Sequence, residues 1–305
     1  MRSVNKDFSA PPLALQKGFE EIKNNLMEKK SDHQFDHRIY NNAVKDELKI
    51  LYHKKCAYCE SMLSFDSFTI EHYRPKKGSY SYYWLGYEWS NLLPVCKKCN
   101  NSKGDRFPVE APSKVLPHSK NKKRVASPLL LSNGDLDTEA MKANHSYLLD
   151  EKPYLLHPEI DEPKAFLRLK GNGEMSNLIE QKSNSYGYKR AILTIKLTNL
   201  NRDVLVWKRR KIINDFENSL KRKTIILFRY IKQKEDQNHL DWGIKLAFFD
   251  LFESIEDQFE DDQEYTFTAW WTWNNIKTIL FEPVSKNNKE IESLLEYALK
   301  LYLES

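Results

Sequence analysis

The 305-residue chain contains four cysteines, arranged as two identical Cys-x-x-Cys pairs, Cys56/Cys59 and Cys96/Cys99. Each pair makes a tight knuckle whose thiolates converge, and two knuckles complete the closed tetrahedral sphere of a structural zinc. Paired short spacings point to metal in a reducing compartment rather than to the scattered even set of a secreted disulfide framework. The 36 residues between the pairs exceed what a simple ribbon needs, so further structure is inserted there. The insertion carries an acidic residue beside a histidine, Glu71-His72, and then the pair Asn91-Leu92; Asn100 directly follows the second knuckle. An imidazole near its unperturbed pKa accepts a proton at neutral pH. A divalent ion beside it would offset the charge that builds on phosphoryl oxygens and on a leaving 3′ oxygen, so the combination suits phosphodiester hydrolysis. His53 stands near the first knuckle and is a rival zinc ligand, although four cysteines already suffice.

The elements that must position these groups are readable in outline. Pro11 and Pro12 precede a polar helical stretch, and Val44, Leu48 and Leu51 share one face of a second helix that leads into Cys56. Residues 111–133 lose apolar periodicity, are rich in Pro, Ser and Lys, and read as a linker containing His118 and the run Lys122-Lys123-Arg124. Residues 165–169 alternate as a strand, and Asn172-Gly173 predicts a hairpin with a type I′ turn, which needs positive φ at both central residues. His157 reads as the opening of a turn before Glu159 and Asp161, and His145 as an exposed loop residue. From Asp203 the period becomes helical, with Val206, Ile213, Phe216, Leu220, Leu227 and Ile231 recurring at successive turns. Trp242, Phe248, Phe249, Phe252, Trp270, Trp271 and Trp273 are expected in the core of a helical bundle that closes with a helix over 287–303, with a partner-binding face as the alternative for these aromatics.

A hydrophobic content of 40% over this length supports a sizeable core without covalent staples. The net charge of +5 is unevenly spread. Residues 71–126 carry about eight net positive charges and 186–235 about ten, whereas 236–305 carry about ten negative. Basic stretches suit a polyanion, since neutralising phosphates releases condensed counterions, but solvated helix faces look the same. No charged segment followed by an apolar run opens the chain and no apolar run approaches the roughly 20 residues that span a bilayer, so a soluble cytoplasmic protein is expected.

The stretches Cys-Ala-Tyr-Cys-Glu at 56–60, Glu-His-Tyr-Arg-Pro-Lys at 71–76, Tyr-Trp-Leu-Gly-Tyr-Glu-Trp-Ser-Asn-Leu-Leu at 83–93 and Cys-x-x-Cys-Asn-x-x-Lys-Gly-x-x-Phe-Pro at 96–108 resemble the zinc-knuckle form of the HNH, or ββα-metal, nucleases. More closely they resemble the HNH subunit, PtuB, of Septu-type and retron-associated phage defence systems. The likeness is dense over 56–108, looser through Leu155-Leu156-His157-Pro158-Glu159-Ile160-Asp161 to Leu200-Asn201-Arg202, and absent from the last hundred residues. By position it implies that His72 deprotonates the attacking water and that Asn91 ties the hairpin loop and orients the histidine. It also implies that Glu71 and Asn100 hold one divalent ion. Here the motif is Glu-His…Asn…Asn, so both metal ligands are oxygen donors, which favours Mg²⁺ or Mn²⁺ there and leaves Zn²⁺ to the four thiols. Arg74 and Lys103 are placed in sequence to contact flanking phosphates, or equally to be surface charges. The resemblance further implies a partner ATPase of the ABC or SMC-like type, PtuA-like.

The expected fold is therefore α+β. A ββα-metal core with a four-cysteine zinc site occupies 56–110, after a helical segment at 1–55; a linker and hairpin-containing extension at 111–200 leads to a helical region at 201–305. DNA is the expected substrate. RNA remains an alternative because nothing reads a 2′-hydroxyl, and a zinc-dependent docking module with a dead site is the alternative outside enzymes.

Overall fold

The computed structural model describes residues 1–27, 35–40, 42–64, 68–78, 80–111, 124–125, 130–180, 185–231 and 237–305. Most of the expected linker, with His118 and Lys122-Lys123, lies outside the described residues. The chain divides into two compact units, one of residues 1–167 and 176–200, the other of residues 168–175 and 201–305. The segments 1–55, 56–110 and 111–200 thus fall within one unit, apart from the hairpin tip at 168–175.

In the first unit, helix α1 (Ala14–Met27) buries Leu15 and Ile22, spaced two turns apart. Gly18 lies between them because the Tyr87 ring occupies the place of a side chain: a Cβ there would stand 2.3 Å from Tyr87 Cγ. Helix α2 (Asn42–Leu51) buries Val44 and Leu48 one turn apart and leaves Ile50 exposed. Strand β1 (Phe68–His72) pairs antiparallel with β2 (Leu92–Cys96), in a register that sets His72 opposite Leu92 and Glu71 opposite Leu93. Among the described residues the pair stands alone, with both strands as edges; that tolerates Pro94, whose carbonyl accepts from the Ala57 amide at 2.8 Å. Helix α3 (Lys97–Lys103) follows β2 without a break, giving the expected β-β-α order.

The extension beyond the core is packed, not loose. Tyr73 donates to the Leu155 carbonyl at 2.5 Å and the Ala143 amide donates to Ser90 Oγ at 2.8 Å. The expected turn at His157 is present, its amide donating to Asp161 at 2.7 Å and its carbonyl accepting from Asp161 at 2.9 Å. Helix α4 (Ser185–Leu197) holds this turn through Arg190, whose two terminal nitrogens each meet Asp161 at 2.6 Å. His145 caps a short helix at 146–149 by accepting from the Tyr147 amide.

His157 itself is buried: its Nε2 donates to the Ser90 carbonyl at 3.0 Å and its Nδ1 accepts from the Glu159 amide at 3.2 Å. Burial, reinforced by the Lys6 cation, pushes its pKa well below the usual histidine range. The folded protein therefore refuses a proton that the unfolded chain takes up below about pH 6.5, so this stability is present above that pH and is lost as pH falls toward the folded value. Urea unfolding between about pH 7 and about 5.5 should show a steeper loss for the native protein than for His157→Gln, whose amide can still donate to Ser90. Glu71, Glu88, Glu151 and Glu159, raised by burial, act in the opposite direction but are common to both proteins. Parallel curves would exclude this role for His157.

Strands β3 (Leu167–Leu169) and β4 (Met175–Asn177) form the expected hairpin, with a different turn. The Gly173 amide donates to the Lys170 carbonyl at 2.9 Å, so Gly171 and Asn172 are the central residues, and Gly173 alone adopts positive φ, at 89°. That is a longer loop closed by a left-handed glycine, not a type I′ turn. A Cβ on Gly173 would lie 2.4 Å from the Val206 carbonyl, a second reason for glycine. Strand β3 begins at 167 because Pro163–Ala165 form a 3-10 turn.

In the second unit, α5 (Asp203–Ile231) buries Leu205, Ile213, Leu220 and Leu227 and packs on α6 (Gln237–Asp257). Helices α7 (Thr266–Asn274) and α8 (Lys289–Leu303) complete the bundle, the last capped by Asn288. Phe248 and Phe252 are core, as expected, but Trp242 is 58% exposed, and Ile226 and Leu246 are exposed as well.

Candidate active site and metal centre

The first knuckle is shaped by backbone that ordinary residues rarely adopt. Glu60, at φ 63°, turns the chain so that its amide donates to the Cys56 carbonyl at 2.9 Å, while the Cys56 amide donates to Ser61. Cys96 ends β2 and Cys99 occupies the first turn of α3, which brings the second pair alongside. All four thiols are buried with their Sγ atoms within 4.8 Å of one another, and Cys59 and Cys96 are 3.9 Å apart. A tetrahedral ion with bonds of about 2.3 Å requires edges of about 3.8 Å, so the four sulfurs fit a zinc ion. His53 is exposed and outside this group.

His72, at the end of β1, is half-buried at an open cleft of about 760 Å³ that Glu71, Asn100, Tyr40 and Lys76 also line. Its Nε2 stands 2.8 Å from the Gly86 carbonyl, which can only accept, so Nε2 carries the proton and Nδ1 keeps the lone pair in the neutral ring. Tyr40 stacks edge-on against the imidazole and donates to the same carbonyl at 2.6 Å. Desolvation, and then the Lys76 cation, push the His72 pKa well below its usual value, so the ring is neutral at pH 7.

Asn91 is buried, and its amide is spent on backbone. Oδ1 accepts from the Arg74 amide at 2.7 Å, and Nδ2 donates to the Arg74 and Leu85 carbonyls, each at 3.0 Å. It thus ties both ends of the 73–91 loop, which carries Gly86, and it touches neither the imidazole nor the cleft lining. This placement suits the loop-tying role that the resemblance implies for Asn91, and its bonds are to backbone, not to the imidazole. Asn91→Ala should lower unfolding stability by about 2–4 kcal/mol, because two buried carbonyls and one amide lose their partner, with zinc content retained. Urea denaturation checks this, and a loss below about 0.5 kcal/mol would contradict it.

The structure corrects both expected phosphate contacts. Arg74 is 1% exposed: it pairs with Glu151 at 3.2 Å, donates to the Leu148 carbonyl at 2.8 Å, and lies against the rings of Tyr73, Tyr82 and Phe107. Lys103 is fully buried, ion-paired with Glu71, and donates to the His72 carbonyl at 3.0 Å. Neither cation reaches a ligand in the cleft. Both are held by the core because a cation without solvent needs a carboxylate and carbonyls around it. Glu71 is buried as well, and desolvation raises its pKa against the opposing pull of Lys103. The donors that Glu71 and Asn100 bring to the cleft are a carboxylate and an amide oxygen, a set that fits a hard divalent ion. Sequence reading missed Tyr40 and the Gly86 carbonyl. A backbone carbonyl leaves no residue signal, and Tyr40 lies 32 positions from His72.

An antiparallel strand pair feeding a helix, with a histidine at the strand end and a thiol cage at its base, is the ββα-metal architecture. Agreeing with it, residues 56–106 match the HNH endonuclease family. The chain's relatives include Septu proteins. The chain is 31% identical over 231 residues to Septu protein PtuB of Bacillus mycoides (strain KBAB4), covering 69% of this chain and 66% of that one. It is 41% identical over 63 residues to Septu protein PtuB of Bacillus thuringiensis, covering 20% and 23%. A third similarity, 26% over 212 residues, is to Septu protein PtuA of the same Bacillus mycoides strain, covering 66% of this chain and 25% of that protein. The chain thus spans about two thirds of the first PtuB and about a quarter of the other two.

Proposed function

We propose that this protein is a cytoplasmic, metal-dependent endonuclease that hydrolyses phosphodiester bonds, DNA before RNA, as the cutting subunit of a Septu-type antiviral system with a PtuA-like ATPase. The observation that carries the nuclease reading is the His72 imidazole, held by the Gly86 carbonyl in the tautomer of a base and sharing one cleft with Glu71 and Asn100. In this reading Nδ1 of His72 accepts the proton of the attacking water. Tyr40 donates to the Gly86 carbonyl that fixes the ring, Asn91 ties the loop that carries it through the adjacent Leu85 carbonyl, and Lys103 holds the Glu71 carboxylate. Glu71 and Asn100 would hold Mg²⁺ or Mn²⁺, which supplies charge to stabilise the phosphoryl and leaving oxygens.

Support for the partner comes from the similarity to PtuA, where a sequence like two thirds of this chain forms a quarter of a longer protein. The exposed Trp242, Ile226 and Leu246 of the second unit offer it an apolar contact. Among the described residues no helix is long and apolar enough to cross a membrane.

One observation favours a docking module instead: the Lys103 ammonium already neutralises Glu71, which weakens its pull on a divalent ion. Incubating the purified protein, alone and with the ATPase, with plasmid, single-stranded DNA and tRNA in Mg²⁺ or chelator separates the readings. Chelator-sensitive cleavage is the expected result; binding without cleavage in every combination would leave only the docking module.

A further inference from the structure

With Arg74 and Lys103 enclosed in the core, the cleft needs another cation if it is to hold a phosphate. Lys76 lines it beside His72, two residues past Arg74. Its ammonium lies 4.3 Å above the Tyr40 ring and 4.5 Å above the Phe35 ring, and donates to the Tyr40 hydroxyl at 3.1 Å. That hydroxyl donates to the Gly86 carbonyl, which also takes the His72 Nε2 proton, so ammonium and imidazole are anchored on one framework. Among the described residues no carboxylate pairs with Lys76. Asp105, which lines the same cleft, makes no ion pair with it. Ring faces and a neutral phenol offset only part of the cost of withdrawing an ammonium from water. Burial, followed by repulsion from Lys77, accordingly lowers its pKa to about 7. Lys45 and Lys77 add positive charge to the same lining.

We propose that Lys76 is the phosphate-binding cation of the cleft, its ammonium contacting a non-bridging oxygen of a phosphodiester in the nucleic-acid strand presented to His72. The assignment rests on the nuclease reading of the cleft. It places in Lys76 the role that sequence position suggested for Arg74 and Lys103.

The test uses the 305-residue chain carrying His72→Ala, so that the probe survives, and measures binding of fluorescent single-stranded DNA and RNA oligonucleotides over a range of salt. Adding Lys76→Gln should weaken binding at least about tenfold and make the logarithmic salt dependence shallower by about 0.7, the release expected for one single-strand phosphate contact. Lys76→Arg, which keeps the charge, should stay within about threefold of its parent. Zinc content equal to the parent certifies the fold, and if Lys76→Gln fails that check the arginine variant and a Lys76→Met variant carry the comparison. Unchanged affinity and slope on removing the charge, or a parent that binds neither oligonucleotide, overturns the assignment. Cleavage by the chain with His72 intact is assayed separately, so failure of the nuclease reading and failure of the Lys76 assignment give different results.

Discussion

His72→Ala should cut nucleic acid on the order of 10² to 10⁴ times more slowly than the native protein while keeping its zinc and binding oligonucleotides nearly as well. The imidazole is tied to the framework through Nε2, shared between the Gly86 carbonyl at 2.8 Å and the Tyr40 hydroxyl at 3.3 Å. The Gly86 carbonyl keeps a donor in Tyr40 when the ring is removed. Little stability is therefore at stake, and the loss falls on proton transfer. Because burial holds the His72 pKa well below 6.5, the base form persists as pH falls through that value, and the acid limb of the native rate profile should lie lower than an exposed histidine would give. Glu71→Ala should behave differently: it strands the buried Lys103 ammonium, and higher Mg²⁺ should restore part of its activity if the carboxylate binds metal. Single-turnover cleavage against metal concentration distinguishes the two variants. A His72→Ala protein that cleaves at the native rate, in a preparation free of contaminating nuclease, would remove the mechanism.

Zinc removal should have the largest structural effect. The four thiols join two pieces of chain, the 56–61 knuckle, tied to β2 through the Ala57 amide, and the first turn of α3. A structural zinc contributes on the order of 10 kcal/mol of apparent folding free energy in small domains, comparable to the whole stability of an ordinary domain. Cys96→Ser or Cys99→Ser should release the ion, unfold the nuclease core and abolish cleavage, since α3 carries Asn100 into the cleft. The helical second unit holds none of the four cysteines and should keep its circular dichroism. Elemental analysis of the native protein should find one zinc per chain. Folded, freshly purified protein without zinc would refute the assignment of the cage.

What the sequence by itself determined is local or carried by residue type. Two Cys-x-x-Cys spacings announce a four-sulfur cage because a knuckle is a short-range object, and the position of Glu71-His72 between them marks the strand end at which chemistry is placed. Helical periodicity from Asp203 was equally legible, since burial of every third or fourth residue follows from the helix itself. Which cations face solvent was decided by tertiary structure alone. Arg74 and Lys103 sit in the motif as plausibly as Lys76 does, but Glu151, 77 residues from Arg74, draws the guanidinium inward, and Glu71 draws Lys103. The hairpin turn centres one residue earlier, on Gly171 and Asn172, and the glycine at 173 also answers to the approach of the Val206 carbonyl, a demand made by a helix. The tautomer of His72 likewise depends on the Gly86 carbonyl, which accepts from the Tyr40 hydroxyl while Asn91 holds the neighbouring Leu85 carbonyl, and which no side chain encodes. Long-range pairing settles such questions because a buried charge or polar group must find its partner wherever the fold supplies one.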